Sequence, residues 1–215
     1  MPLKKRAYSD EEKQQREQMI IDAAQQLLME KSYHSINMNE VARSANLAKG
    51  TVYLYFQTKE ELFLTLFERQ FEAWLEEVEV QLIALASSVT KEAVIDILVQ
   101  TIAQNRQLVR LAALTNIIFA HTISYEHARD YTTLLHSQIV DLGIILEPLL
   151  GILPPSGTQL LYRIYVFVVG LESIANPAPV AKEVFAKNPS LQHPDFETEL
   201  TALITMAIDA LSDRS

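Results

Sequence analysis

The chain has 215 residues, 49% of them hydrophobic and 21% charged, enough for one large domain or two small ones with the composition of a soluble globular protein. It has no cysteine, which excludes disulfides and thiolate metal sites and fits a reducing, cytoplasmic setting. The net charge of −9 is unevenly spread: residues 1–60 carry nine Lys/Arg against eight Asp/Glu, and residues 61–215 carry nine against nineteen, so a small basic surplus sits at the N-terminal end, and local charge at a contact surface matters more than the total.

No targeting or membrane segment is expected. Lys4 to Gln18 is polar throughout. The apolar run Leu160 to Leu171 contains Arg163 and falls short of the ~20 residues that span a bilayer. Proline is absent from Leu3 to Glu147, and no stretch alternates like a strand for long. The expected fold is therefore all-α, with no internal repeat.

Pro2 to Asp10 is expected to be a mobile arm, either a solvated terminus or one whose Lys4, Lys5 and Arg6 reach phosphates. Ser9 or Asp10 is the candidate cap of the first helix, with acidic residues in its first turn. Ile20, Ala23, Ala24, Leu27 and Leu28 form its apolar face, and it should end near Glu30 to Tyr33. Asn37 can cap a second, short helix whose Met38, Val41, Ala42 and Ala45 recur at helical spacing. Asn46 permits the left-handed backbone that turns the chain, and Leu47 can plug the angle that follows.

A third helix is expected from Lys49 to Phe56, with Val52 and Phe56 pointing inward. Gly50 and Leu54 then lie at the middle of its outer face, with Thr51 and Tyr55 on one flank and Lys49 and Tyr53 on the other. Such a face suits DNA. Gly50 lets the backbone come close to a duplex, unless helix packing alone requires a small residue there. Thr51 and the tyrosine hydroxyls can donate to phosphates, and Lys49 adds charge. Leu54 cannot hydrogen-bond a base edge, but it can touch a thymine methyl. Asn37 and Arg43 complete the candidate DNA contacts on the preceding helix.

Thr58 and Glu61 form a capping box that starts a long helix, expected to run to about Ala86 through Phe63, Phe67, Trp74, Val78 and Leu82. Lys59, in its first turn, is the remaining candidate phosphate contact. No flexible linker separates the two parts of the chain, so movement at the far end of this helix can tilt the DNA-reading helix. The expected domains are 9–57 for DNA binding and 58–215 for ligand binding and dimerisation.

Further helices are expected at Thr90 to Gln104, Gln107 to Ser124 and Glu126 to Glu147, the last ended by Pro148. Thr158 to Ile174 is apolar nearly all round and should be buried on more than one side. A short helix follows at Val180 to Lys187. The last, Asp195 to Leu211, has a wide apolar face. These last two long helices are expected to pair with their copies in a second subunit as a four-helix bundle.

The residues AKGTVYLYF, with the TKEEL that follows, make the region from Arg16 to Phe67 resemble the DNA-binding domain of the tetracycline-repressor-like (TetR) family of transcriptional regulators. The resemblance implies an all-helical homodimer that binds operator DNA and releases it when a small molecule binds; two recognition helices related by a two-fold axis would meet a near-palindromic site. Two residues depart from the family pattern. Ala48 stands where a capping, phosphate-touching serine or threonine is usual, and Leu54 stands where histidine is common.

Between Thr90 and Ile174, polar or aromatic residues are scattered among apolar ones. Asn116, Phe119, His121, Tyr125, His136, Tyr162 and Tyr165 are the candidate contacts to a hydrophobic or aromatic effector. The histidines His121, His127 and His136 lack a recognised metal spacing, and no cofactor is expected. No Glu-x-x-His pair, His-Glu-x-x-His, Gly-x-Ser-x-Gly or phosphate-binding glycine loop is present, so an enzyme is not expected. A helical protein-binding adaptor is the alternative, and it leaves the AKGTVYLYF face without a task.

Overall fold

The computed structural model describes residues 3–85, 89–119, 124–177, 179–188, 190–191 and 194–212. Ten α-helices lie among them: α1 Leu3–Glu30, α2 Met38–Ser44, α3 Lys49–Tyr53, α4 Lys59–Ala84, α5 Lys91–Gln104, α6 Arg106–Phe119, α7 Tyr125–Leu150, α8 Ser156–Ala175, α9 Pro179–Lys187 and α10 Phe196–Ser212. A single 3-10 turn, Tyr33–Ser35, separates α1 from α2. No strand occurs among the described residues, in keeping with the all-α expectation.

Most element boundaries follow local chemistry. Thr90 caps α5 by accepting from the Ala93 amide at 3.1 Å. Asp195 sits just ahead of α10 and accepts from the Thr198 amide at 2.9 Å. Three expectations need correction. The segment expected as a mobile arm is helical from Leu3, so neither Ser9 nor Asp10 starts α1; nothing between Leu3 and Asp10 breaks a helix, and Leu, Lys, Arg and Ala all favour one. The third helix stops at Tyr53 instead of Phe56, with Leu54 as its C-cap. Pro148 does not end α7, which continues to Leu150. One missing amide near a helix end forfeits a single backbone bond. Leu150 at the end of α7 and Ile152 just beyond it are buried, and termination waits for Gly151 at φ +66°, a left-handed conformation that suits glycine.

Two compact units emerge. The first comprises Met1–Arg69 with Ile117–Tyr125, the second Gln70–Asn116 with Glu126–Ser215. The division therefore falls within α4 and not at 57/58. The reason lies in the opening turns of α4, where Leu62, Phe63, Leu66 and Phe67 are all buried residues of the first unit. The end of α6 also belongs to that unit, and Ile118 is fully buried.

In the second unit, α10 packs on α8 and α5. The Trp74 indole donates to Thr101 Oγ1 at 3.0 Å, a buried bond. The buried Glu172 carboxylate is held by Arg106 at 2.9 Å and by the Asn176 amide group at 2.8 Å. α7 meets α8 backbone to backbone: a Cβ added at Gly157 would lie 2.1 Å from the Gly143 carbonyl oxygen. Buried Glu147 accepts from the Gly157 amide at 3.1 Å, satisfying a donor at the start of α8 that the crossing shuts off from water.

Within the chain α8 buries one side, through Leu160, Leu161, Ile164, Val168 and Leu171. Tyr162, Val166 and Ile174 on its other side are exposed, as is Met206 of α10. Burial on more than one side, expected from the sequence, is not met by this chain alone.

Candidate nucleic-acid interface

The interface is built on the α2–α3 pair. Asn37 Oδ1 accepts from the amides of Asn39 at 3.1 Å and Glu40 at 3.2 Å. Glu40 reaches back to the Asn37 amide at 3.2 Å, which completes a reciprocal box. The other Glu40 oxygen accepts from Lys31 at 2.9 Å. These two bonds, Lys31 first, hold the Glu40 carboxyl below the usual glutamate range. The end of α1 is thereby tied to the start of α2. At the other end of α2, Asn46 adopts φ 54°, and the Leu47 amide donates to the Ala42 carbonyl at 2.9 Å. This left-handed step redirects the chain into α3, as Asn46 led us to expect.

α3 shows sharply different faces. Val52 is fully buried and Phe56 nearly so. Leu54 is 84% exposed and Tyr53 40%. Lys49 and Gly50 are exposed, and Thr51 and Tyr55 are half-buried. Lys49 Nζ lies 5.6 Å from the centroid of the Tyr53 ring, so the two flank residues on that side form a pair. A Cβ placed on Gly50 would meet nothing within 4 Å. Packing inside the chain therefore does not require glycine there. Ala48 precedes α3 and supplies no side-chain cap, in line with the departure read from the sequence. Asn37 and Arg43 are exposed at opposite ends of α2.

Lys59, expected to contact phosphate, is engaged within the chain. Its Nζ donates to the carbonyls of Tyr33 at 3.1 Å and Ile36 at 3.2 Å, and it lies 4.0 Å from the Tyr33 ring centroid. Two of its three donors are thus committed to the turn that leads into α2. Tyr33 is buried, edge-on to Phe63 at 5.0 Å, and its hydroxyl donates to Glu60 at 3.2 Å. Burial first, and the Glu60 carboxylate second, push the Tyr33 phenol well above its usual range. Tyr33 and Glu60 were not foreseen. They lie 27 positions apart, and no local pattern links them. The Thr58 cap is present, accepting from the Glu61 amide at 3.1 Å, but Glu61 reaches the Gln57 amide at 2.8 Å in return.

The candidate effector residues are distributed more widely. Tyr165 shares a 2.7 Å hydrogen bond with buried Thr115. His136 and Tyr162 form an exposed pair, with Nδ1 and Oη 2.8 Å apart. Phe119 and Tyr125 fall in the first unit, and both are exposed. The backbone of Asn116 lies in α6, whereas His121 lies outside the described residues. No cluster of three or more potential metal ligands occurs among the described residues.

Residues 68–214 match the family model for the tetracyclin repressor-like C-terminal domain, and residues 20–66 match that of bacterial regulatory proteins of the tetR family. The chain belongs to the TetR family. The fatty acid metabolism regulator protein of Bacillus subtilis is 34% identical to this TetR-family chain over 76 residues, 35% of the chain and 39% of that protein. The transcriptional regulator AcrR of Shigella flexneri is 29% identical over 101 residues, 45% of the chain and 46% of that relative. The chain thus spans less than half the length of these two relatives. In fold, it resembles a TetR-family transcriptional regulator from Streptomyces coelicolor, with a TM-score of 0.61 at 19% identity over 91% of this chain and 99% of the other. The matched residues 20–66 of the family of bacterial regulatory proteins include both α2 and α3.

Proposed function

We propose that the chain is a homodimeric, ligand-responsive repressor that binds near-palindromic operator DNA and leaves it when a small hydrophobic effector binds. The uncovered face of α3 carries this reading. Gly50 opens onto empty space and Leu54 is 84% exposed, while Val52 behind them is fully buried. A short helix firmly seated on one side and bare on the other fits insertion into a major groove. Asn37, Arg43, Lys49, Thr51, Tyr53 and Tyr55 are assigned to contacts around it. Lys59 is reassigned to positioning, because it holds the entry to α2 in place.

The exposed apolar residues Tyr162, Val166, Ile174 and Met206 support pairing of α8 and α10 with a second copy. Two recognition helices would then meet major-groove segments about 34–36 Å apart. The effector is assigned to the second unit, near Asn116, Tyr162, Tyr165 and His136. A fatty acid metabolism regulator among the relatives fits an apolar effector such as an acyl compound. Action on operator DNA implies a cytoplasmic location.

Release follows from population shift. The effector must bind the DNA-incompetent arrangement better, and about 1.4 kcal/mol of differential binding lowers DNA affinity tenfold. α4 and α6 each contribute residues to both units, so they are the elements assigned to carry that shift.

The test is a gel-shift of the full chain on the DNA upstream of its own gene, with and without a panel of acyl compounds. A retarded dimer complex that an acyl compound dissolves is the expected result. A monomer that enriches no duplex from a randomised pool at low salt would overturn the reading.

A further inference from the structure

We propose that operator preference is set by a shape contact between Leu54 and the 5-methyl group of a thymine in each half-site. The inference rests on the DNA-binding reading above and specifies what the surface recognises.

Leu54 is the most exposed of the large apolar side chains among the described residues, at 84%. Its backbone is nonetheless held. It has helical φ and ψ, and its amide bonds to the Thr51 carbonyl at 3.1 Å. Its side chain therefore projects from a fixed point. One turn earlier on the same face lies Gly50, where even a Cβ would meet nothing within 4 Å. An open notch followed by a protruding isobutyl group lets the backbone approach the groove wall while Leu54 reaches towards its floor.

The chemistry of the neighbouring side chains narrows the reading further. α3 and its cap contain no Asn or Gln to pair with adenine and no Asp or Glu to accept from cytosine. Lys49 is the one basic residue there, and it sits beside the Tyr53 ring; the Thr51 hydroxyl can bond more than one kind of base edge and so discriminates little. Thymine is the one base that presents a methyl group in the major groove. An apolar, water-exposed side chain gains by covering it.

The experiment uses the full chain and the duplex it enriches from a randomised pool. Each thymine is replaced singly by deoxyuridine, which removes the methyl and leaves every hydrogen-bonding group. At one thymine position per half-site, binding should weaken about fourfold, and about fifteenfold when both half-sites are changed. In Leu54→Ala the thymine and deoxyuridine duplexes should bind alike; circular dichroism checks its folding. Equal binding of both duplexes by the unaltered chain overturns this inference alone. So does a deoxyuridine penalty that persists in Leu54→Ala. Enrichment of no duplex overturns the DNA-binding reading and this inference with it.

Discussion

The two units differ in the balance of local and distant contacts at their key positions. In the first, the caps and turn around α2 and α3 join residues a few positions apart, Asn37 with Glu40, the left-handed step at Asn46, Thr58 with Glu61, and the bonds of Lys59 to Tyr33 and Ile36 are the long-range addition. In the second, the decisive contacts join distant positions: Gly143 with Gly157, Glu172 with Arg106, Trp74 with Thr101. The difference is instructive for function. A surface that must fit duplex DNA needs a preset backbone, and local caps supply one. Under the function proposed above, the second unit accommodates an effector and a second copy, and it is held at a few deep crossings while large apolar side chains elsewhere stay uncovered.

The sharpest break in this comparison should come from the backbone crossing. Gly157→Ala places a carbon against the Gly143 carbonyl, and a helix must move. A loss of about 3 kcal/mol in unfolding free energy is expected, measured by denaturant titration. A loss under about 0.5 kcal/mol would show that the helices need no such approach.

Next in size is Lys59→Ala, which frees the turn before α2. DNA affinity should fall by about 1.5–3 kcal/mol, on the scale of charge-assisted hydrogen bonds. The slope of log affinity against log salt should stay as it was. In Lys49→Ala that slope should shrink by about 1. A reduced slope in Lys59→Ala would return this lysine to the phosphate contacts.

Asn37→Ala removes a cap used twice, and about 1 kcal/mol of stability should go with it. Amide exchange should rise in α2 and not in α8. Uniform loosening of both would erase the distinction between local and distant control.

The smallest effect near neutral pH concerns Tyr33. Its folded-state phenol is raised by burial and Glu60, so its contribution is fully present below the ordinary tyrosine value of about 10. Above that pH the unfolded chain ionises first, and the contribution is lost as pH rises. Denaturation midpoints at pH 9 and pH 11 should therefore diverge, and Tyr33→Phe should reduce the divergence. Equal divergence in both proteins would exclude Tyr33 as its source.

Much of the α2–α3 surface was legible in advance. Asn37, Asn46, Val52, Phe56 and Leu54 occupy the positions expected of them, because each acts through its own backbone or through helical periodicity. The sequence makes Lys59 a candidate phosphate contact, because its partners, the carbonyls of Tyr33 and Ile36, lie more than twenty positions away. The effector candidates share that difficulty. Tyr165 turned out to bond Thr115, and Tyr162 to bond His136, pairs that no short pattern marks.

By itself, then, the order of residues determined that the chain would be helical, where most helices begin, and which side of α3 faces out. Caps, turn residues and periodic apolar positions act over one or two turns, and that range is written in the sequence. Only the tertiary structure decided that Lys59 points inward, that α7 and α8 touch at two glycines, and that α4 belongs to both units. Those outcomes depend on which distant surfaces meet, and that is chosen by packing and by the satisfaction of buried polar groups across the whole chain.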